Sequence, residues 1–356
     1  MQFSRIVSII LTSLLCTLWP IITMGHHSYA AFFDMENLTE LEGEVTSVKW
    51  YNPHVSFGLK VISSSGEEQL WEVETLAQSG LRRRDISEPF VAIGDQVKVY
   101  GNLARKGTNN LYLSNILLSN GVEVTMRGNV PPNWSDEIFG KTGAEYALVG
   151  DGSSPELGFF RVWSTSAVSP FPFNEDRFPE LTPLLPLTAS VRAVQANFDP
   201  ITDNVIADCT LKGMPVIMEQ PYPMEIVEIG GNMVLRMEEY NTVRTIFMGD
   251  NANPDSAQPS LLGYTVGHWE NENTLVATTT KMGWGWFNTV GVPITENAVS
   301  VETFTLSEDG SRLDYEMLVT DETIFTEPVP REKYFLYIPD VEVQDFSCTV
   351  NDLSAR

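Results

Sequence analysis

Thr23-Met24-Gly25 is followed at once by His26-His27-Ser28, so two of the four histidines in this chain stand beside a candidate cleavage point. A chain cut after Gly25 would begin with His26, whose α-amine and imidazole together form a bidentate chelate that needs no fold. His27 or His54 would add a further nitrogen, and a nitrogen-rich tetragonal set suits Cu(II). A cut before Gly25 would make His27 the third residue, which also suits Cu(II). Copper is the one cofactor these residues suggest; nothing else in the chain requires one. The competing reading is a flexible polar terminus, with His54 capping a strand by a hydrogen bond.

His268, flanked by Trp269 and Glu270, is the best general acid or base in the second half of the chain, with Glu270 as its carboxylate. No Gly-x-Ser-x-Gly elbow accompanies it. A lone strand-end histidine is more often structural than catalytic. Glu225, Arg236, Glu238 and Arg244 fall on strands that could share one face, with Tyr222 and Tyr240 near their ends. Inside a barrel they would orient a small amphipathic ligand. On the outside they would form an ordinary ion-pair ladder. Gly283-Trp284-Gly285-Trp286-Phe287 is a glycine-loosened aromatic loop, either a lid with Trp284 and Trp286 against a ligand or a plug for a barrel end. Arg82-Arg83-Arg84 either clamps an anion or pairs with the chain's own carboxylates.

Residues 1–25 read as a secretory leader. Arg5 supplies the positive start, Ile6 to Trp19 the apolar stretch, Pro20 a helix break, and Thr23 and Gly25 the small residues before the cut. The alternative is an uncleaved anchor, since Ile6 to Met24 is just long enough to span a bilayer. Cys16 lacks the small preceding residue of a lipoprotein signal. These features place the protein in the periplasm or outside the cell, with no stable membrane association once the leader is gone. The formal net charge of −25 repels phosphate backbones and anionic headgroups, which argues against nucleic acid as a partner and leaves a small molecule. Without Cys16 the remaining cysteines, Cys209 and Cys348, form an even pair, read as one disulfide or as two buried thiols.

These residues must be positioned by β structure. Leu41, Val45 and Val48 sit in a first strand with Gly43 inside it, Val55 to Val61 alternates, Ser63-Ser64-Ser65-Gly66 turns, and Gln69 to Val73 returns as a third strand. A short helix is expected between Thr75 and Ile93, then strands from Val97 to Gly101 and from Leu111 to Leu118. Three strands, a helical insertion and two strands predict a small OB-like barrel over residues 26–126. Residues 127–157 read as a linker. Residues 158–349 carry a short helix over Val191–Phe198 and then successive hairpins, which predict an antiparallel, up-and-down, lipocalin-like barrel, with 350–356 as a tail. The Gly230-Gly231 turn should pair Ile226 with Leu235 and Met224 with Met237 on one face, and Glu225 with Arg236 on the other.

The leader junction with His26-His27-Ser28, Phe33-Asp34, Gly43-Glu44-Val45, Trp50-Tyr51-Asn52-Pro53-His54-Val55, Leu81-Arg82-Arg83-Arg84 and Gly94-Asp95 together resemble a bacterial family of exported domains with no established function. The resemblance covers about residues 26–120. Cys209, Gly213-Met214-Pro215, Pro221-Tyr222-Pro223, Gly267-His268-Trp269-Glu270 and Thr274-Leu275-Val276 resemble a second uncharacterised exported module. Both resemblances imply fold and compartment rather than activity. Three readings therefore compete: a binder of a small apolar or amphipathic ligand, a copper-handling protein, and a barrel hydrolase or isomerase.

Overall fold

The computed structural model describes residues 33–105, 107–126, 131–140, 149–165, 185–198, 203, 205–206, 209–249, 252–289 and 291–348. Its first sheet contains β1 (Phe33–Lys49), β2 (Ser56–Ile62), β3 (Glu68–Glu74), β4 (Gln96–Ala104), β5 (Asn110–Leu117), β6 (Glu123–Thr125) and β7 (Ile138–Phe139), with helix α1 (Gln78–Arg82) between β3 and β4. The long β1 pairs antiparallel with both β2 and β4, and β3 pairs parallel with β5. The first five strands therefore close in the circular order 1-2-3-5-4, the OB-type barrel expected from the sequence. Val45, Phe57, Leu59, Val73, Leu81, Val99 and Leu113 fill its core. Two close approaches need glycine. A Cβ on Gly43 would lie 2.3 Å from the Lys60 carbonyl oxygen, and one on Gly101 2.1 Å from that of Tyr112.

Residues 131–139, part of the expected linker, are held on this barrel. The buried Glu123 carboxylate accepts hydrogen bonds from the backbone N–H groups of Asn133, Trp134 and Ser135 and from Asn115 Nδ2, and β7 pairs with β6.

The second sheet runs β8 (Val162–Trp163), β9 (Met224–Ile229), β10 (Asn232–Met237), β11 (Thr242–Met248), β12 (Tyr264–Asn271), β13 (Thr274–Thr280), β14 (Val299–Leu306), β15 (Arg312–Thr320) and β16 (Val329–Leu336), each beside the next. A bridge between Ser164 and Leu336, with N–H···O distances of 2.9 and 2.7 Å, brings its two edges together. The barrel departs from a pure up-and-down meander at one place: β11 and β12 are parallel. Ahead of β12, the described residues 252–263 carry Pro254 and Pro259 and lie beside the end of β13: Lys281 Nζ donates to the Pro254 and Ala257 carbonyls, and Ser260 bridges to Met282. The expected helix forms as α2 (Ala189–Gln195).

The barrels meet around α1. Arg82 Nη2 lies 2.7 Å from Glu238 Oε1, and Arg83 Nη1 donates to Thr165 Oγ1 at 2.7 Å and to its carbonyl at 3.2 Å. Arg84 donates to the Thr125 carbonyl inside its own barrel. The arginine triplet thus serves the junction and the core beside it. The C-terminal strand end reinforces this seam: Asn52 N–H donates to Ser347 O at 3.2 Å, and the next residue, Cys348, is disulfide-bonded to Cys209. No helix among the described residues is long and apolar enough to cross a membrane.

The disulfide closes a sequence separation of 139 residues, so most of its effect should come from restricting the unfolded chain. The double variant Cys209→Ser/Cys348→Ser is expected to lose about 2–5 kcal/mol in urea unfolding. An unchanged midpoint would show that the bond does not constrain the unfolded state.

Candidate functional site

Barrel geometry divides the charged residues that the sequence grouped together. The β9–β10 register pairs Ile226 with Leu235 and Met224 with Met237, and all four side chains are buried in the barrel core. Strand alternation then sends Glu225 and Arg236 to the outer face, where they form a half-exposed ion pair at 3.1 Å. They cannot orient a ligand inside the barrel. Arg244 lies opposite Leu235 and points inward. Both of its terminal nitrogens enter a buried network: Nη1 donates to Glu302 Oε1 at 2.8 Å, Nη2 to Glu302 Oε2, Thr265 and Thr279, and Tyr315 OH donates to Glu302 Oε1 at 2.7 Å. Around it Trp163, Leu235, Phe304, Met317 and Phe335 fill the interior. Glu238, 0% exposed, is the carboxylate that receives Arg82 across the junction. Burial pushes its carboxyl above the usual range, against the pull of Arg82.

The barrel end facing the first domain is also filled. Tyr222 and Tyr240 pack around Phe346, with ring centroids 5.2 and 4.9 Å away. Trp284 lies flush on Gly213, where a Cβ would come within 2.4 Å of it. Trp286 faces Phe198, and Phe287 is buried against Phe325 at 4.7 Å. The aromatic loop here packs against its own chain. Arg331 lies over the Phe287 ring and is paired with Glu219. Lys333 is buried beside the Phe335 ring, with its Nζ 3.4 Å from the Gln220 carbonyl.

The opposite end opens into a cleft of about 450 Å³. The Gly230-Gly231 turn, the start of β10, the end of β11 and the end of β12 meet there. Phe160, Met233, Met248 and Trp269 provide its apolar surface, and Glu228, Asn232 and His268 its polar groups. Asn232 Oδ1 accepts from Met248 N–H at 3.0 Å, which fixes two of these strand ends to each other. Gly267 has no side chain where a Cβ would meet Ile246 at 2.5 Å and Met248 Sδ at 2.8 Å. Trp269 stands edge-on to the buried Phe159, ring centroids 5.0 Å apart, yet remains 42% exposed. The rim is thus braced while its aromatic and thioether surface stays accessible.

His268 lines this cleft, whereas Glu270 falls at a β-bulge between Trp269 and Asn271 and is not part of the lining. Phe160, Glu228, Met233 and Met248 escaped the sequence reading. The signal that could have found them was the turn itself, which sets Glu228 opposite Met233. His54 lies on the other barrel. Its Nδ1 is 3.1 Å from Thr75 O and 3.7 Å from Glu74 Oε1. His26 and His27 lie outside the described residues, and among those residues no three His, Cys, Asp or Glu side chains gather as a metal cage.

Residues 15–112 match the model of a protein family of unknown function, DUF6152. This span takes in His26-His27-Ser28 and the first barrel into β5, less than a third of the chain, and stops short of the cleft. No curated protein matches the chain.

The buried ammonium on β16 yields a pH test. Burial draws Lys333 from its ordinary 10.5 down to about 7, with Glu239 pulling the other way. Glu239 is itself engaged by Lys212 at 2.6 Å. Between pH 7 and 10.5 the unfolded chain binds a proton that the folded chain does not, so stability should rise with pH by up to about 1.4 kcal/mol per unit. Lys333→Met should be more stable than the parent at pH 7.5 and should lose this rise in urea melts up to pH 9.5. Parallel pH profiles would show that Lys333 keeps an ordinary affinity for its proton.

Proposed function

We propose that this is an exported two-barrel binding protein that takes a small amphipathic ligand at the rim of its second barrel. The observation that carries this reading is the cleft of about 450 Å³ lined by Phe160, Met233, Met248 and Trp269, with Glu228 and His268 among its polar groups. Two exposed aromatic rings and the half-buried Met248 thioether, over the buried Met233, offer an adaptable apolar surface. An exposed indole beside a carboxylate favours a cationic head, through the ring's negative face and direct charge attraction. The net charge of −25 acts in the same direction by raising the local concentration of cations. The Cys209–Cys348 disulfide agrees with life in an oxidising compartment. Binding fits the lining better than hydrolysis does. Among the described residues it offers an imidazole and a carboxylate but no Ser, Cys or Lys to act as a nucleophile.

Titration calorimetry with decyltrimethylammonium, below its micelle concentration, tests the reading. Saturable one-to-one binding is expected. Trp269→Ala should weaken it by about 1–2 kcal/mol. Glu228→Gln should erode the preference over decyl sulfate while leaving the apolar contribution in place. Equal affinity for the two detergents, or binding that ignores Trp269→Ala, would refute this assignment.

A further inference from the structure

Glu228 and His268 are the two titratable side chains that line the rim cleft, and among the described residues neither has a hydrogen-bond or ion-pair partner. Elsewhere on the second barrel, Arg244 and Glu302 hold each other in the core, Arg236 pairs with Glu225 on the outer wall, and Glu238 receives Arg82 at the junction. His54, on the first barrel, sets its Nδ1 3.1 Å from the Thr75 carbonyl. Asn232 Oδ1, also in the cleft lining, accepts from Met248 N–H. The fold thus leaves one carboxylate and one imidazole of the lining without a structural task.

Glu228 pairs with the buried Met233 and, by alternation from the buried Met224 and Ile226, faces inward at the rim. On β12, Trp269 pairs with the buried Leu275 and turns inward, so His268, paired with Val276, stands on the outer lip. The cleft straddles that lip, and both groups line it. Few other charges approach the imidazole. Glu270 and Glu272 follow it at the bulge and the turn, outside the lining. β11 ends at Met248, opposite Gly267. Across β13 and β14 the row of His268 runs through Val276 and Thr303 before it meets Glu316 on β15, three strand spacings or about 14 Å away. Arg161, next to Phe160, turns to the carbonyls of Gly310 and Ser154. Glu228 is therefore the charge that shares the cleft with His268.

We propose that His268 makes the rim cleft a proton-gated site, which holds a cationic amphiphile in mild alkali and releases it as the imidazole takes up a proton in mild acid. The inference rests on the reading of this cleft as one that prefers a cationic head. Imidazole is the side chain whose charge ordinarily changes between about pH 8 and pH 5. In a cleft of about 450 Å³, a charge on one lining group stands within about a Debye length of a head held there, so salt screens it only in part. A proton on His268 acts twice in the same direction. It repels the cationic head, and it draws on the Glu228 carboxylate that attracts that head. Linkage runs both ways: a bound cation makes the imidazole harder to protonate, so loading the cleft expels a proton.

The test is titration calorimetry of the full chain with decyltrimethylammonium and decyl sulfate, each below its micelle concentration, at about pH 8 and about pH 5.5. The parent should bind the cation about tenfold more weakly at the lower pH, and the anion more tightly. Repeated near pH 6.5 in buffers of different ionisation enthalpy, cation binding should release part of a proton. His268→Gln keeps a polar side chain without a titrating ring. Whatever its absolute affinity, it should lose both the pH dependence and the proton release. Lys333, drawn down by burial to about 7, also changes charge in this interval, but it lies at the other end of the barrel and is retained in that variant. Glu228→Gln should favour decyl sulfate at the lower pH, where the imidazolium is left without its carboxylate. Equal cation affinities at the two pH values, or a pH dependence that survives His268→Gln, would overturn the gate and leave the cation site standing. Absence of any preference for the cation at pH 8 would remove the site and the gate with it.

Discussion

The structure depends on one buried carboxylate. Glu238 stands at the end of β10, wholly removed from solvent, and its cation comes from the other barrel: Arg82 on α1. The second oxygen accepts from the Gln344 N–H at 3.2 Å, on the segment that carries Phe346 and Cys348. An unpaired charge in that position costs about 3–5 kcal/mol, a large share of any domain's stability. The two barrels are therefore not beads on a string. Helix α1, a short insertion within the first fold, completes the electrostatics of the second. The same logic explains why three successive arginines are tolerated there. Arg82 meets a carboxylate, while Arg83 and Arg84 donate to carbonyls, and each contact removes part of the desolvation cost.

The second barrel repeats this solution in its interior. Arg244 and Glu302 lie in the middle of an otherwise apolar core, with Thr265, Thr279 and Tyr315 hydrogen-bonded to the pair. A barrel occupied in this way has little room for a guest. Trp163, Phe304 and Phe335 take the volume, and the ion pair with its hydroxyls takes the polar positions. The aromatic loop around Phe287 packs the end next to the first domain. Of the two ends, the one formed by the Gly230-Gly231 turn is left with exposed ring and thioether surface, and the cleft forms there.

Much of this architecture was legible in the residues. The Gly230-Gly231 turn allows only one tight pairing, so the register of Ile226 with Leu235 and of Glu225 with Arg236 followed from the sequence. That register already implied that Glu225 and Arg236 face outward once Met224 and Ile226 face in. What escaped the sequence was strand β16. Its inward positions are Val329, Arg331, Lys333 and Phe335, so two cations occupy places that pattern reading reserves for apolar side chains. Arg331 is admitted because the Phe287 ring and Glu219, over 40 and over 110 positions upstream, receive it; Lys333 lies beside the nearby Phe335 ring and reaches the Gln220 carbonyl, over 110 positions upstream. The cleft was hidden for a related reason: Phe160 reaches the rim from the bend ahead of β8, far in sequence from Trp269.

The two ends of the second barrel consequently answer to different constraints. At the junction, Arg82, Arg83 and Asn52 are committed to partners in the other barrel or in the terminal segment, and a substitution there disturbs both domains. At the rim, Phe160, Glu228, Met248 and His268 are displayed on strand ends fixed by the Asn232–Met248 hydrogen bond and by the glycines. Met248 also packs against the core, while Phe160, Glu228 and His268 contribute little to it and can be changed at little cost in stability. Surface that is braced from beneath but free of structural duty is where a fold can carry specificity. The packed interior is what holds that surface rigid. In this protein the filled barrel and the open rim are two consequences of the same packing.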